Sequence, residues 1–152
     1  MSIMSWLKAV TEGGNSPDLI QSTQVQFAQG EESFHGLDMK QALDAHMAWL
    51  HRIEMKLSGL SNEHLDLVKV ASDHDCTLGH WLHGEARQQF GNLPEYQELR
   101  NVHAGFHLMV GQALNDIENG DSARARENLK PIRHKSGEVQ LALIRLYSKG
   151  MH

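Results

Sequence analysis

The stretch DMKQALDAHMAWLHRIEMKLSGL, residues 38–60, has the apolar spacing of an amphipathic helix. Its apolar side chains recur every three or four residues, at Met39, Leu43, Leu50, Ile53, Leu57 and Leu60. Asp38 can cap this helix, with Gln41 three residues later in a capping-box arrangement, and Gly59 stands near its natural end. His46 takes the remaining position of the apolar stripe. The pattern therefore places an imidazole in the predicted core.

Two further helical stretches are predicted to follow, of which the second is short. The first begins at Ser61 and directs three side chains inward, namely Leu65, Val68 and Ala71. The second lies within TLGHWLHGEARQQFG, residues 77–91, and is led by Leu78, Trp81 and Leu82. A loop around Gly91 and Asn92 is predicted to end this region.

The last two predicted helices are long. Pro94 suits the first turn of the earlier one, whose stripe consists of Leu99, His103, Phe106, Val110, Leu114 and Ile117. Gly120 is predicted to end this helix, and Asp121 to cap the last one. The last stripe consists of Leu129, Ile132, Val139, Leu143 and Leu146. Pro131 is expected to kink this final helix.

Four long amphipathic stretches, with the short helix within residues 77–91 between the second and the third, predict an all-α fold, an antiparallel four-helix bundle with a short N-terminal arm. We expect residues 38–149 to form the bundle. Residues 1–37 differ, because a break rich in Gly, Ser and Pro at 13–17 is followed by a polar, partly alternating segment. We interpret residues 1–37 as a short helix, a linker and an extended arm, and as a candidate output or docking segment.

Composition excludes several classes of function. The chain has 152 residues, of which 40% are hydrophobic and 22% charged, as in a soluble globular domain. Its 14 Lys and Arg residues form no long run and the net charge is −5, which argues against nucleic-acid binding. No apolar run approaches the roughly 20 residues of a membrane span. A single cysteine cannot form an internal disulfide, and the N-terminus lacks the pattern of a secretory signal, so we expect a cytoplasmic protein.

The eleven histidines are the unusual feature of the composition. His103 and His107 lie four residues apart and share one helix face, and His103, like His46, stands in an apolar stripe. The only cysteine, Cys76, lies at a break between helices in HDCTLGHWLHG, residues 74–84. A buried imidazole costs roughly 1–3 kcal/mol unless a partner satisfies it. Three neutral imidazoles and one thiolate form a tetrahedral donor set suited to zinc. Hard ions such as Mg²⁺ prefer oxygen donors and would not bind this set.

Three segments carry a family resemblance: LDAHMAW (43–49), DCTLGHWL (75–82) and HAGFH (103–107). Together they resemble the chemoreceptor zinc-binding domain, usually called CZB, over about residues 37 to 147. The resemblance implies a four-helix bundle with a zinc site of three histidines and one cysteine. The implied zinc ligands, in chain order, are His46, Cys76, His103 and His107.

The resemblance also implies a bacterial cytoplasmic sensor. Such domains are commonly fused to chemoreceptor signalling domains or diguanylate cyclases, and they respond to zinc or, in some members, to hypochlorous acid at the zinc-bound cysteine. These 152 residues contain neither a methyl-accepting coiled coil nor a GGDEF segment. We therefore expect a partner in trans, a chemoreceptor or a diguanylate cyclase, or an output contact through residues 1–37. Apolar residues away from the main stripes, such as Trp49 and Met109, favour a homodimer.

Other residues near Cys76 leave alternatives open. His80 and His83 are three residues apart and could replace one of the zinc ligands. For both, and for His74, we favour a position that faces solvent or supports the ligands without binding the ion. Asp73 and Asp75 could orient a ligand imidazole through its second ring nitrogen. We expect the remaining histidines to lie at the surface: His35, His51, His64, His134 and His152.

We interpret the protein as a zinc-binding regulator rather than an enzyme, because four protein ligands leave no open coordination position for catalysis. One alternative is a hemerythrin-like di-iron oxygen-binding protein, which would need bridging carboxylates and about five histidines. Another is a metal-dependent enzyme in which His80 or His83 displaces a ligand and water completes the site. A purely structural zinc site is the third.

Overall fold

The computed structural model describes residues 33–74 and 76–150, and this part of the chain is mostly helical. A small antiparallel sheet pairs β1 (Ser33–Phe34) with β2 (Leu37–Asp38). The helices that follow are α1 (Met39–Leu57), α2 (Leu67–Ala71), α3 (Thr77–His83), α4 (Glu85–Phe90), α5 (Pro94–Glu118), α6 (Ser122–Glu127) and α7 (Leu129–Gly150).

Helix α1 forms as its apolar spacing predicts. The Asp38 carboxylate accepts a hydrogen bond from the Gln41 backbone N–H at 2.9 Å, which confirms the N-cap. All but the last residue of the predicted stripe are buried. Leu60 is 71% exposed, because α1 ends at Leu57 and Gly59 then reverses the chain with φ +76°. The prediction that Leu60 lies in the core was therefore wrong.

The second predicted helix is much shorter than expected. It begins at Leu67 rather than Ser61, because the Asp66 side chain accepts hydrogen bonds from the Val68 and Lys69 backbone N–H groups and caps the helix there. Leu65 is buried as predicted. Val68 is 79% exposed, so the prediction that it points inward was wrong. The late start places Val70, instead of Val68, on the buried face of α2.

Helices α5 and α7 are long and pack against each other. Pro94 lies in the first turn of α5, and Gly120 follows its end with φ +84°. Asp121 caps a helix as predicted, by accepting a hydrogen bond from the Arg124 backbone N–H. That helix is the short α6, because the chain breaks at Asn128 before α7 begins. Pro131 consequently lies in the first turn of α7, where its missing N–H costs nothing, and the predicted kink is a break instead.

The hairpin at residues 33–38 packs on the helices. His35 and Gly36 form its tight turn with φ values of +47° and +85°. Phe34 is 1% exposed, and its ring centroid lies 5.4 Å from that of Phe90. The Trp81 indole N–H donates to the His35 carbonyl at 2.9 Å. Part of the predicted N-terminal arm is thus docked on the core, while the predicted helix and linker at its start lie outside the described residues.

The prediction of a helical fold is confirmed for the described residues. Three long helices, α1, α5 and α7, contact one another, and α2 packs against α5. The segment between α1 and α5 contains only short helices instead of one long one. The four-helix arrangement therefore stays a prediction. Among the described helices, none combines the length and apolar character that crossing a membrane requires.

Candidate metal centre

Cys76 and the two histidines of α5 come together in the structure. The Cys76 Sγ lies 3.2 Å from His103 Nε2 and 3.6 Å from His107 Nε2, and the two Nε2 atoms are 3.2 Å apart. All three ligand atoms lie within 4.8 Å of one another. His103 and His107 are buried and Cys76 is partly buried. A thiol and two imidazoles therefore converge on one point, although about 30 residues of chain separate the cysteine from the histidines.

The local fold orients each of these side chains. Cys76 is the N-cap of α3, and its sulfur accepts a hydrogen bond from the Gly79 backbone N–H at 3.2 Å. The His107 Nδ1–H donates to the Val70 carbonyl at 2.8 Å, because a carbonyl can only accept. Its Nε2 lone pair therefore faces Cys76 and His103. A Cβ at Gly111 would come 2.8 Å from the Ala71 Cβ, so this glycine lets α2 approach α5 closely enough for the Val70 contact.

His46 lies beside this group and outside it. Its ring centroid is 6.3 Å from that of His103 and 4.6 Å from that of Phe106. The His46 Nδ1 is 3.5 Å from the Ser136 hydroxyl, whereas its buried Nε2 has no hydrogen-bond partner among the described residues. The set of donors within 4.8 Å of one another does not include His46. The structure thus brings three of the four predicted ligands together and leaves the fourth as an adjacent, buried imidazole with a free nitrogen.

Burial controls the protonation of these groups. Desolvation, with a further contribution from His107, lowers the pKa of His46 to about 3, and the same two causes lower that of His103 to about 3. Both rings are therefore neutral at physiological pH, which is the state that binds metals. Burial also raises the pKa of the Cys76 thiol, against the effect of the Gly79 N–H. In the absence of a cation this thiol stays protonated.

The donor set fits zinc. A sulfur and two neutral imidazole nitrogens are borderline and soft donors, and zinc binds such sets in tetrahedral sites. The free Nε2 of His46 supplies a fourth nitrogen next to the group. A divalent cation bound by His46 Nε2 would also remove the cost of leaving that buried nitrogen unsatisfied, and it would stabilise the thiolate form of Cys76.

The other histidines near Cys76 do not join this group. His83 Nε2 lies 2.9 Å from Asp73 Oδ2, so the partner of Asp73 is His83 instead of one of the predicted ligands. His80 is exposed on α3, as favoured from the sequence. Asp75 lies outside the described residues.

A cavity of about 610 Å³ adjoins the metal centre. Its walls include His46, Cys76 and His107, together with the basic side chains of Arg52 and Lys69. Exposed residues of α1 also line it, so the cavity connects Cys76 with the surface. A small oxidant or a chelator can therefore approach the sulfur without unfolding of the core.

Two groups that contact the candidate metal ligands were not predicted from the sequence, the Val70 carbonyl and the Ser136 hydroxyl. The Val70 carbonyl gives no signal in a sequence, because its position depends on how closely α2 packs against α5. Ser136 did give a sequence signal, since this polar residue stands between Ile132 and Val139 in the apolar stripe of α7. The structure buries it completely. A polar residue in an apolar stripe marks a buried partner there, as it does for His46.

The zinc-free protein is expected to lose stability in acid. In the unfolded chain His46 and His103 bind protons near the ordinary pKa of 6.5, whereas in the folded protein they do so only near pH 3. The unfolded state therefore binds more protons below pH 6.5, and stability falls as the pH decreases from that value toward 3. We expect urea unfolding with a chelator present to show a loss of roughly 2–4 kcal/mol between about pH 7 and about pH 5.

A matched pair of variants tests the assignment of this acid effect. His46→Leu removes one of the two buried imidazoles and should reduce the dependence of the free energy of unfolding on pH by about half. His80→Ala removes an exposed imidazole and should leave this pH dependence unchanged. Equal slopes in the wild type and His46→Leu would contradict the assignment.

Comparison with known proteins identifies one family. The family model of the chemoreceptor zinc-binding domain matches residues 46–114, and this confirms the resemblance inferred from the sequence. The matched segment begins at the first predicted ligand and contains the other three. Zinc is the metal of this family, in agreement with the donor set of the site. No curated protein and no solved structure matches the chain.

Proposed function

We propose that this protein is a zinc-dependent regulator, on the premise that residues 46–114 form a chemoreceptor zinc-binding domain. The proposed ligands are His46, Cys76, His103 and His107. The observation that carries the proposal is the convergence of the Cys76 sulfur and two Nε2 atoms within 4.8 Å, inside the segment that the family model matches. When bound, zinc would supply the positive charge that keeps the sulfur a thiolate. Four protein ligands would leave no open position, so we propose a sensor and not an enzyme.

The fold connects Cys76 to the N-terminal residues. Cys76 caps α3 through its sulfur, and Trp81 of the same helix holds the hairpin through the His35 carbonyl. The hairpin leads directly to the residues before Ser33. A change at the sulfur would therefore weaken an N-cap, which is worth about 0.5–2 kcal/mol, on the helix that holds the hairpin at residues 33–38. We propose that the N-terminal segment, 1–37, carries the output contact for this reason.

Oxidation is the proposed second input. A Cys76 thiolate attacks hypochlorous acid, the sulfur gains the hydroxyl group and loses two electrons, and chloride leaves. The product, a neutral sulfenic acid, is a weaker metal ligand than the thiolate and a weaker acceptor for the Gly79 N–H. The cavity beside Cys76, with Arg52 and Lys69 in its walls, gives hypochlorite a path to the sulfur. Loss of zinc, which leaves a neutral thiol, and oxidation would then both weaken the hydrogen bond by which the Cys76 sulfur caps α3.

The remaining features of the proposal concern the assembly. We propose a cytoplasmic protein with a four-helix bundle, which forms a homodimer and signals to a chemoreceptor or a diguanylate cyclase in trans. Trp49 and Met109 support a dimer because both are partly buried apolar residues at the edge of the core. The di-iron alternative is disfavoured, since the group around Cys76 contains no carboxylate among the described residues.

The proposed function predicts that metal loss changes the hairpin. About one equivalent of hypochlorous acid should release the zinc of the wild-type protein, measured with a chromophoric chelator. Hydrogen exchange should then increase at the amides of α3 and of residues 33–38, because the cap that the Cys76 sulfur gives α3 is weakened. His80→Ala, on the exposed face of α3, should respond as the wild type does. Zinc release without any change in exchange at the hairpin would contradict a regulatory role and favour a structural site.

A further inference from the structure

A second group of metal-binding side chains lies next to Cys76. Asp73, His74 and His83, here called the Asp73 cluster, offer one carboxylate and two imidazoles whose ligand atoms all lie within 4.8 Å of one another. The Asp73 carboxylate is 2.9 Å from His83 Nε2 and 3.8 Å from His74 Nε2. The two imidazole rings stack with centroids 3.6 Å apart and an angle of 11° between them. Both rings thus present a nitrogen to the same carboxylate.

The backbone holds the Asp73 cluster in place. A Cβ at Gly79 would overlap the Asp73 carbonyl oxygen, so the turn at Asp73 rests directly on α3. This contact brings Asp73 and His74 to the side of α3 that carries His83. The same glycine donates its N–H to the Cys76 sulfur. One residue therefore contacts both the Asp73 cluster and the metal centre.

The exposure of the Asp73 cluster differs from that of the metal centre. The His74 side chain is 64% exposed, while those of Asp73 and His83 are 21% and 18% exposed. The two less exposed groups are fixed by their mutual contact, and the more exposed His74 ring stacks on His83 with its Nε2 toward the same carboxylate. Two imidazoles with one carboxylate select borderline divalent ions such as Zn²⁺ and Co²⁺ over Mg²⁺ and Ca²⁺. Three donors also leave a coordination position open, so an ion there can exchange.

We propose that Asp73, His74 and His83 form a second, exchangeable zinc site at the surface, which loads the centre at Cys76. The loading role rests on the proposed function, since it needs a zinc site at Cys76, but the binding of an ion by the Asp73 cluster does not. Asp73 lies three residues before Cys76 on the same turn. An ion held by the Asp73 cluster is therefore concentrated close to the sulfur that receives it.

Metal titration separates the two sites. With Co²⁺ or Zn²⁺ alone as the probe, the wild type should bind about two ions per chain and His74→Ala about one, with His80→Ala unchanged as the exposed neighbour on α3. Cys76→Ala/His103→Ala should keep about one ion and lose it when His74→Ala is added. Equal stoichiometry in the wild type and His74→Ala would overturn the second site. Binding of about one ion by Cys76→Ala/His103→Ala that disappears with His74→Ala would establish it, whatever becomes of the site at Cys76.

Stopped-flow loading tests the proposed transfer. Under limiting zinc, His74→Ala should fill the centre at Cys76 about tenfold more slowly than the wild type, while the final affinity of that centre stays the same. Because His74 is largely exposed, its removal should not alter folding, and the far-ultraviolet circular dichroism serves as the check. Loading of His74→Ala at the wild-type rate would overturn the transfer role.

Discussion

Replacing His103 with alanine is expected to lower zinc affinity by at least about 1,000-fold. Loss of a group that merely orients a ligand already costs about 10–100-fold, and His103 Nε2 lies 3.2 Å from both the Cys76 sulfur and His107 Nε2. His103 is also fully buried, so water cannot easily replace it. Competition against a chelator of known affinity gives the dissociation constant for the wild type and the variant.

Urea unfolding tests the predicted loss of zinc binding in His103→Ala in a second way. Zinc should stabilise the wild type against urea, by about 4 kcal/mol when the free zinc concentration is about 1,000 times the dissociation constant. In the His74→Ala background, where the Asp73 cluster does not compete, adding His103→Ala should reduce this zinc-dependent difference to below about 0.5 kcal/mol. The zinc-free forms are compared separately, so that a packing defect is not mistaken for a lost ligand. His80→Ala, which removes an exposed imidazole on α3, should keep the full difference. A full zinc-dependent difference in His103→Ala would show that the ion binds elsewhere.

Gly79→Ala is expected to be the most disruptive small substitution near the site. Its Cβ would overlap the Asp73 carbonyl oxygen, a backbone atom that cannot move without displacing the turn before Cys76. We expect a loss of about 2–3 kcal/mol in the free energy of unfolding of the zinc-free protein, together with weaker zinc binding. The measurement is urea unfolding in the presence of a chelator, followed by zinc titration.

Gly105→Ala provides the matched control for this substitution. Gly105 lies within α5, and a Cβ there would meet nothing within 4 Å. Alanine is the better helix former, so this variant should gain about 0.5–1 kcal/mol. The two glycine variants should thus change stability in opposite directions. A destabilisation of similar size in both would contradict the explanation based on the Asp73 contact.

The helices that were predicted correctly are those whose stripes are long enough to fix their rotation. In α1 and α5, an apolar residue every three or four positions leaves only one face that can be buried. The segment from Ser61 has too few apolar residues for this, and the cap at Asp66 then determines where α2 begins and that Val68 is exposed. The hairpin was missed for another reason, because Phe34 is buried only through contacts with distant residues such as Phe90 and Tyr147.

The candidate site was predictable to the extent that polar residues interrupt apolar stripes. That signal identified His46 and His103, and the spacing of four residues added His107. The geometry of the site was not predictable, because it depends on contacts between elements. Examples are the Val70 carbonyl that orients His107 and the Ser136 hydroxyl beside His46. The pairing of Asp73 with His83 likewise follows from the turn packing on α3 rather than from sequence spacing.

X-ray absorption at the zinc edge is the most direct test of the central proposal, that Cys76 and three histidines hold one zinc ion. The sample is the His74→Ala protein loaded with one equivalent of zinc, in which the Asp73 cluster does not compete. We predict one sulfur scatterer at about 2.3 Å and three nitrogen scatterers at about 2.0–2.1 Å. A zinc ion surrounded only by nitrogen and oxygen, with no sulfur in its first shell, would contradict the proposal.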